Sequence, residues 1–153
     1  MKNETFSPWP AYSENEAKAV SKVLLSNKVN YWTGTECRKF EREFAKFSDS
    51  KYAIAVSNGT TALDLAFIAL NIGNQDEIIV TSRTFLASVS CIVNANATPL
   101  FADVSPDTQN ITAESISKVI SNKTKGIVCV HLAGWPCDMD SIMAIAEKRN
   151  LYV

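Results

Sequence analysis

An α/β fold, with a mostly parallel sheet covered by helices on both faces, is what this sequence predicts, and three observations predict it. Runs such as Ile78–Val80 and Ile127–Val130 are continuously apolar and lack the polar alternation of a strand with one face in water. Segments with helical spacing alternate with those runs along most of the chain. No internal repeat, low-complexity segment or linker breaks the order, and 153 residues suit a single domain.

Each element has its own local signal. Ser13 with Glu16 makes a capping-box opening, after which Ala17, Val20 and Leu24 fall on one helical face. A loop over Lys28–Gly34 follows. Cys37, Phe40, Phe44 and Phe47 then form one apolar stripe on a helix whose remainder is charged. Ala53–Val56 is expected as a strand, Ser57–Thr61 as a small polar turn, and Ala62–Leu70 as an almost wholly apolar helix. Asn71-Ile-Gly-Asn-Gln-Asp76 turns the chain into a strand at Glu77–Val80, and Thr84–Val93 reads as a buried helix. A strand is expected over residues 99–102. Thr112 can cap a helix running to Ile120, and Gly126–His131 is a strongly β-branched strand. Asp138 or Asp140 opens a helix to Lys148, and Leu151–Val153 begins a further strand. The segments near residues 53–56, 77–80, 99–102 and 126–130 are expected to share one parallel sheet.

Composition narrows the function classes. The apolar share of 46% is ordinary for a globular core. A net charge of −1 offers no electrostatic attraction for nucleic acid or an anionic membrane, so neither is expected as a partner. No apolar run is long enough to span a bilayer, and the N-terminus lacks the pattern of an export signal, which points to a cytoplasmic chain. Cys37, Cys91, Cys129 and Cys137 show no C-x-x-C pairing, and His131 is the only histidine, so no metal site is expected. Asn-x-Ser/Thr sequons begin at Asn3, Asn58, Asn96, Asn110 and Asn122, and they carry no meaning in a chain that is not exported.

The most informative stretch is Ala53-Ile-Ala-Val-Ser-Asn-Gly-Thr-Thr-Ala-Leu-Asp-Leu-Ala66. A strand-like piece enters a small turn, and an apolar helix leaves it. Backbone N–H groups and the hydroxyls of Thr60 and Thr61 thereby gather at a helix N-terminus, where the dipole and the unpaired donors favour an anion. Gly59 lets a ligand approach the backbone closely. The pattern equally fits an ordinary strand-to-helix turn with a threonine cap. It matches neither a Walker-type loop nor a G-x-G-x-x-G turn.

Further blocks carry a resemblance. Ser57-Asn-Gly-Thr-Thr-Ala-Leu63, Asp76-Glu-Ile-Ile79, Arg83-Thr-Phe-Leu-Ala87, Pro99-Leu-Phe-Ala-Asp-Val104, Thr108-Gln-Asn-Ile-Thr112, Thr124-Lys-Gly-Ile127 and Val130-His-Leu-Ala-Gly-Trp-Pro-Cys-Asp-Met-Asp140 occur in that order. Together they resemble successive blocks of the DegT/StrS-type sugar aminotransferases, which use pyridoxal 5′-phosphate, from about Tyr12 to Val153. The resemblance implies the aspartate-aminotransferase fold, a three-layer αβα large domain followed by a smaller one. It makes this chain the N-terminal portion of that large domain. It also implies an enzyme that moves an amino group from an amino acid, usually glutamate, to a keto sugar on a nucleotide carrier, working as a homodimer in full-length form.

Carried onto this sequence, the resemblance assigns Gly59, Thr60 and Thr61 to the cofactor phosphate and Phe85 to the aromatic wall against the pyridine ring. Thr33 and Gly34, in Tyr31-Trp-Thr-Gly34, match a stretch that approaches the substrate, although core packing of Trp32 fits the same pattern. His131, at the end of an apolar strand, is placed near the substrate too; a lone histidine there also fits a hydrogen-bonded structural role. Ser82 departs from the family, where many members carry proline. No catalytic residue is assigned in this chain, because the lysine that holds the cofactor and the aspartate that pairs with the pyridinium nitrogen are expected beyond Val153. Two alternatives stay open: a sugar C3-dehydratase of the same fold, and a catalytically silent fragment with at most weak cofactor binding.

Overall fold

The computed structural model describes residues 9–153, so the sequon at Asn3 lies outside the described residues. The chain divides into two compact units, the first ending at Ala55 and the second spanning Val56–Val153.

The first unit holds α1 (Glu14–Leu25) and α2 (Glu36–Phe47). The α1 capping box forms as the sequence predicts: Ser13 Oγ accepts the Glu16 N–H at 3.3 Å, and the Glu16 carboxylate accepts the Ser13 N–H at 2.6 Å. On α2 the aromatic stripe is continuous, with ring centroids 5.6 Å apart for Phe40–Phe44 and 6.3 Å for Phe44–Phe47. Those rings are exposed, and Ala45 is the helix's one buried residue. The expected strand over residues 53–56 does not form. A strand is a pairing of backbones, and this segment has no ladder partner among the described residues. The Ala55 N–H donates instead to the Glu41 carboxylate at 3.0 Å.

The second unit is built on β1 (Glu77–Val80), β2 (Thr98–Phe101) and β3 (Thr124–Ile127), all parallel, in the order β2-β1-β3. Around them lie α3 (Gly59–Ala69), α4 (Ala87–Asn94), α5 (Ala113–Val119) and α6 (Met139–Arg149). The central strand explains why the apolar run is continuous. Ile78 and Val80 point into one core with Phe67 of α3 and Cys91 and Ile92 of α4. Ile79 points the other way, into a core with Ile116 of α5 and Ile142 and Ala146 of α6. Both faces are buried, so polar alternation would have placed charges in a core. The α/β class and the three-layer arrangement follow directly.

Ladder length trims the expected strands. β3 starts at Thr124 and leaves its ladder at Ile127; Val128 N–H still reaches the Ile79 carbonyl at 2.8 Å, but β1 ends at Val80, so Cys129 and Val130 have no strand beside them there. Pro99, which has no N–H to give, sits in β2, paired on one side only with β1. Tyr152 makes an isolated parallel bridge beside β3 in place of the expected strand: its N–H donates to the Lys125 carbonyl and its carbonyl accepts the Ile127 N–H, both at 2.9 Å. Gly126 lies opposite, where a Cβ would come within 3.2 Å of the Tyr152 oxygen. The expected helix start at Thr84 moves to Ala87, after a tighter turn in which Ser88 and Val89 donate to the carbonyls of Phe85 and Leu86 at 3.0 Å.

Candidate cofactor site at the carboxyl edge of the sheet

Connections leave the sheet in opposite directions at one point. The connection after β1 passes through α4, in the core on one face, and the connection after β3 passes through α6, in the core on the other. β1 and β3 are neighbours, so the switch point lies between their carboxyl ends. In open parallel sheets such a switch point is where ligands bind. Phe85 follows β1 and His131 follows β3, one on each side of it.

The turn at the start of α3 is an anion cradle by its hydrogen-bond inventory. Asn58, in extended conformation, caps the helix: its Oδ1 accepts the Thr61 N–H at 2.9 Å and the Thr61 hydroxyl at 3.3 Å. The N–H groups of Gly59 and Thr60 and the Thr60 hydroxyl find no acceptor among the described residues. No atom lies within 4 Å of where a Cβ on Gly59 would sit, so the approach is open. Free donors, an open approach and a helix dipole suit a phosphate group. The expected threonine cap is therefore corrected to an asparagine cap, and Thr61 is partly occupied by it. Asn58 went unnoticed in the sequence, although an Asn directly before a helix start is itself a cap signal.

α4 braces this turn from below. Fully buried Cys91 donates from Sγ to the Thr60 carbonyl at 3.5 Å. Burial, then the neighbouring Asp64 carboxylate, pushes its thiol up to about 11, so it stays a protonated donor at neutral pH. Asp64 Oδ1 is buried and has no hydrogen-bond partner among the described residues. The Phe85 side chain is 76% exposed, which leaves a ring face available for a flat heteroaromatic group.

His131 Nδ1 accepts the Cys137 N–H at 3.0 Å, closing a loop that contains the short 3₁₀ turn Leu132–Gly134. An apolar cavity of about 390 Å³ reaches from this histidine along α3, past Leu63 and Ala66. Thr33 and Gly34 belong to the first unit, where their polar groups are used locally. Asn30 Oδ1 accepts from the Thr33 N–H at 2.9 Å and from its hydroxyl at 3.0 Å. A Cβ on Gly34 would lie 2.5 Å from the Lys28 carbonyl oxygen, so its glycine is required by backbone packing. Trp32 is 84% exposed among the described residues. No group of three or more His, Cys, Asp or Glu side chains among the described residues could hold a metal ion.

Known proteins share this architecture. The sequence model of the DegT/DnrJ/EryC1/StrS aminotransferase family matches residues 10–153. GDP-perosamine synthase of Escherichia coli O157:H7 is 43% identical over 148 residues, covering 94% of this chain and 39% of that protein. The solved aminotransferase of Psychrobacter cryohalolentis superposes with a TM-score of 0.93 at 68% identity, over 97% of this chain and 38% of that one. A Streptococcus pneumoniae protein solved in its PLP form gives a TM-score of 0.86 at 32% identity, over 97% of this chain and 38% of that one. The chain thus spans about two-fifths of the length of the curated relatives it matches. By the match along nearly all of its length, the chain belongs to the DegT/DnrJ/EryC1/StrS aminotransferase family.

Proposed function

We propose that the chain forms the N-terminal portion of the large domain of a pyridoxal 5′-phosphate-dependent aminotransferase. Its acceptor is a keto sugar on a nucleotide carrier, its donor an amino acid such as glutamate, and its full-length form a homodimer. The observation that carries the reading is the pair of unpartnered N–H groups at Gly59 and Thr60, opening onto free space in the same unit as the switch point. The name of the E. coli relative, a GDP-sugar synthase, supports the substrate class. When bound, the cofactor supplies the electron sink for moving an amino group. Gly59 and Thr60 hold its phosphate, Asn58 fixes the geometry of their turn, and Phe85 covers one face of its ring. In the second unit, Lys123 precedes β3 and Lys125 is its second residue, both at the amino end of the strand, the wrong edge for the chemistry. No lysine of this chain is assigned to hold the cofactor.

The test is a titration of pyridoxal 5′-phosphate and of pyridoxal into the chain, followed by absorbance or fluorescence. The phosphorylated form is expected to bind more tightly. Thr60→Val removes one hydrogen bond to a charged group and lowers its affinity about ten- to a hundredfold. Phe85→Ala weakens both forms alike, because the ring is common to both. Equal affinity for the two forms in folded wild-type chain overturns the phosphate assignment.

A further inference from the structure

The loop after β3 is held more firmly than a surface connection requires. Asn110, only 3% exposed, gives both ends of its side chain to that loop: Nδ2 donates to the Trp135 carbonyl at 2.9 Å and Oδ1 accepts the Leu132 N–H at 3.1 Å. Cys137 adds an Sγ bond to the Val130 carbonyl at 3.3 Å, and its N–H donates to His131 Nδ1. Inside the clamp, Ala133 sits at φ 51° and Gly134 at φ 82°. A non-glycine residue in the left-handed region persists where its surroundings over-determine it, and such places cluster at ligand sites. Here the surroundings are Asn110 and Cys137, and what they fix is the imidazole.

We propose that His131 is a locked hydrogen-bond donor to an oxygen on the ring portion of the ligand, with Asn110 the positioning residue that locks it. An imidazole nitrogen that accepts a backbone N–H carries no proton, so the neutral ring carries its proton on Nε2. Nε2–H is then the ring's free polar group, at the carboxyl end of β3. His131 lies in the connection after β3 and Phe85 in the connection after β1, and these leave neighbouring strands at their carboxyl ends, where ligands bind in open parallel sheets. The proposal assigns the ring substituents of a ligand seated on Phe85, and not its phosphate, to His131. This inference rests on the cofactor reading above.

The chain has one histidine, so a ¹⁵N spectrum of the imidazole is unambiguous. Wild type is expected to show the Nε2–H tautomer alone, with the Nε2 signal moving on addition of either pyridoxal 5′-phosphate or pyridoxal. Asn110→Ala is expected to mix the tautomers. His131→Ala should lose about three- to tenfold affinity for both forms equally, and His131→Gln, which can return a donor near the Nε2 position, should recover most of it. An Nδ1–H or mixed tautomer in folded wild type overturns the proposal, whatever the variants do. An Nε2 signal unmoved at saturating cofactor, or a His131→Ala loss confined to the phosphorylated form, overturns the donor role. Failure of the phosphate assignment reads out separately, as equal affinity for the two forms. A folded chain that binds neither form overturns both.

Discussion

At the residue scale, the turn proposed to hold a phosphate depends on a side chain already engaged as the helix cap. Asn58 Oδ1 satisfies the third N–H of α3 and leaves the first two free for a ligand. Replacing it removes the cap and lets the turn fray, so stability and anion binding should fall together. Asn58→Ala is expected to cost about 1 kcal/mol in denaturant unfolding and to narrow the preference for pyridoxal 5′-phosphate over pyridoxal. Asn58→Asp should keep the helix capped while placing a negative charge beside the phosphate. Its stability should then stay near wild type while its cofactor affinity drops. If Asn58→Asp binds the phosphorylated form as tightly as wild type does, the turn does not hold the phosphate.

At the scale of elements, α4 is the piece that ties the turn to the sheet. It buries Cys91 and Ile92 against β1 and α3 and reaches the Thr60 carbonyl through a thiol. That thiol gives the unit a pH signature. In the unfolded chain it ionises near its ordinary value of 9.0, whereas in the folded chain burial holds the proton until about 11. Between those values the unfolded state binds fewer protons, so stability falls as pH rises. Below about 9 the contribution is fully present. Cys129, pushed up to about 11 by burial and then by its neighbour Cys137, acts in the same direction. The denaturant midpoint should therefore decline from about pH 9 to about pH 11, and less steeply in Cys91→Ala measured against its own neutral-pH value. A midpoint that is flat over that range contradicts the assignment. On the opposite face, Ile142 of α6 is fully buried with Ile79 and Ile116. Ile142→Ala should cost about 2–5 kcal/mol with little change in cofactor preference, because that core lies across the sheet from α3.

For the whole molecule, the exposed apolar surface is the dominant fact. Val20, Leu24, Phe40, Phe44 and Phe47 in the first unit, and Leu86 and Phe101 in the second, are all exposed. Contiguous apolar patches drive association. The isolated 153-residue chain is expected to self-associate or to be marginally folded. Light scattering after gel filtration, together with unfolding at several concentrations, checks this. A monomeric mass with a sharp, concentration-independent transition would count against it. Among the described residues no helix is long and apolar enough to cross a membrane.

The sequence by itself determined what depends on near neighbours. The continuous apolar run at Ile78–Val80 announced a strand buried on both faces, Ser13 with Glu16 announced a helix start, the block from Ser57 to Leu63 announced the turn, and seven such blocks in order announced the family. Patterns of this kind work through spacings of two to four residues, which helix and strand geometry convert directly into faces and caps. Tertiary structure alone decided the rest. Residues 53–56 have strand character but no ladder, because pairing depends on what lies alongside. Asn110 looked like an idle sequon, yet it clamps a loop 22 to 25 residues further on. The switch point between β1 and β3 exists only because β2 lies on the far side of β1. Strand order and long-range hydrogen bonds follow from how the whole set of apolar faces is buried at once, and no local spacing records that outcome.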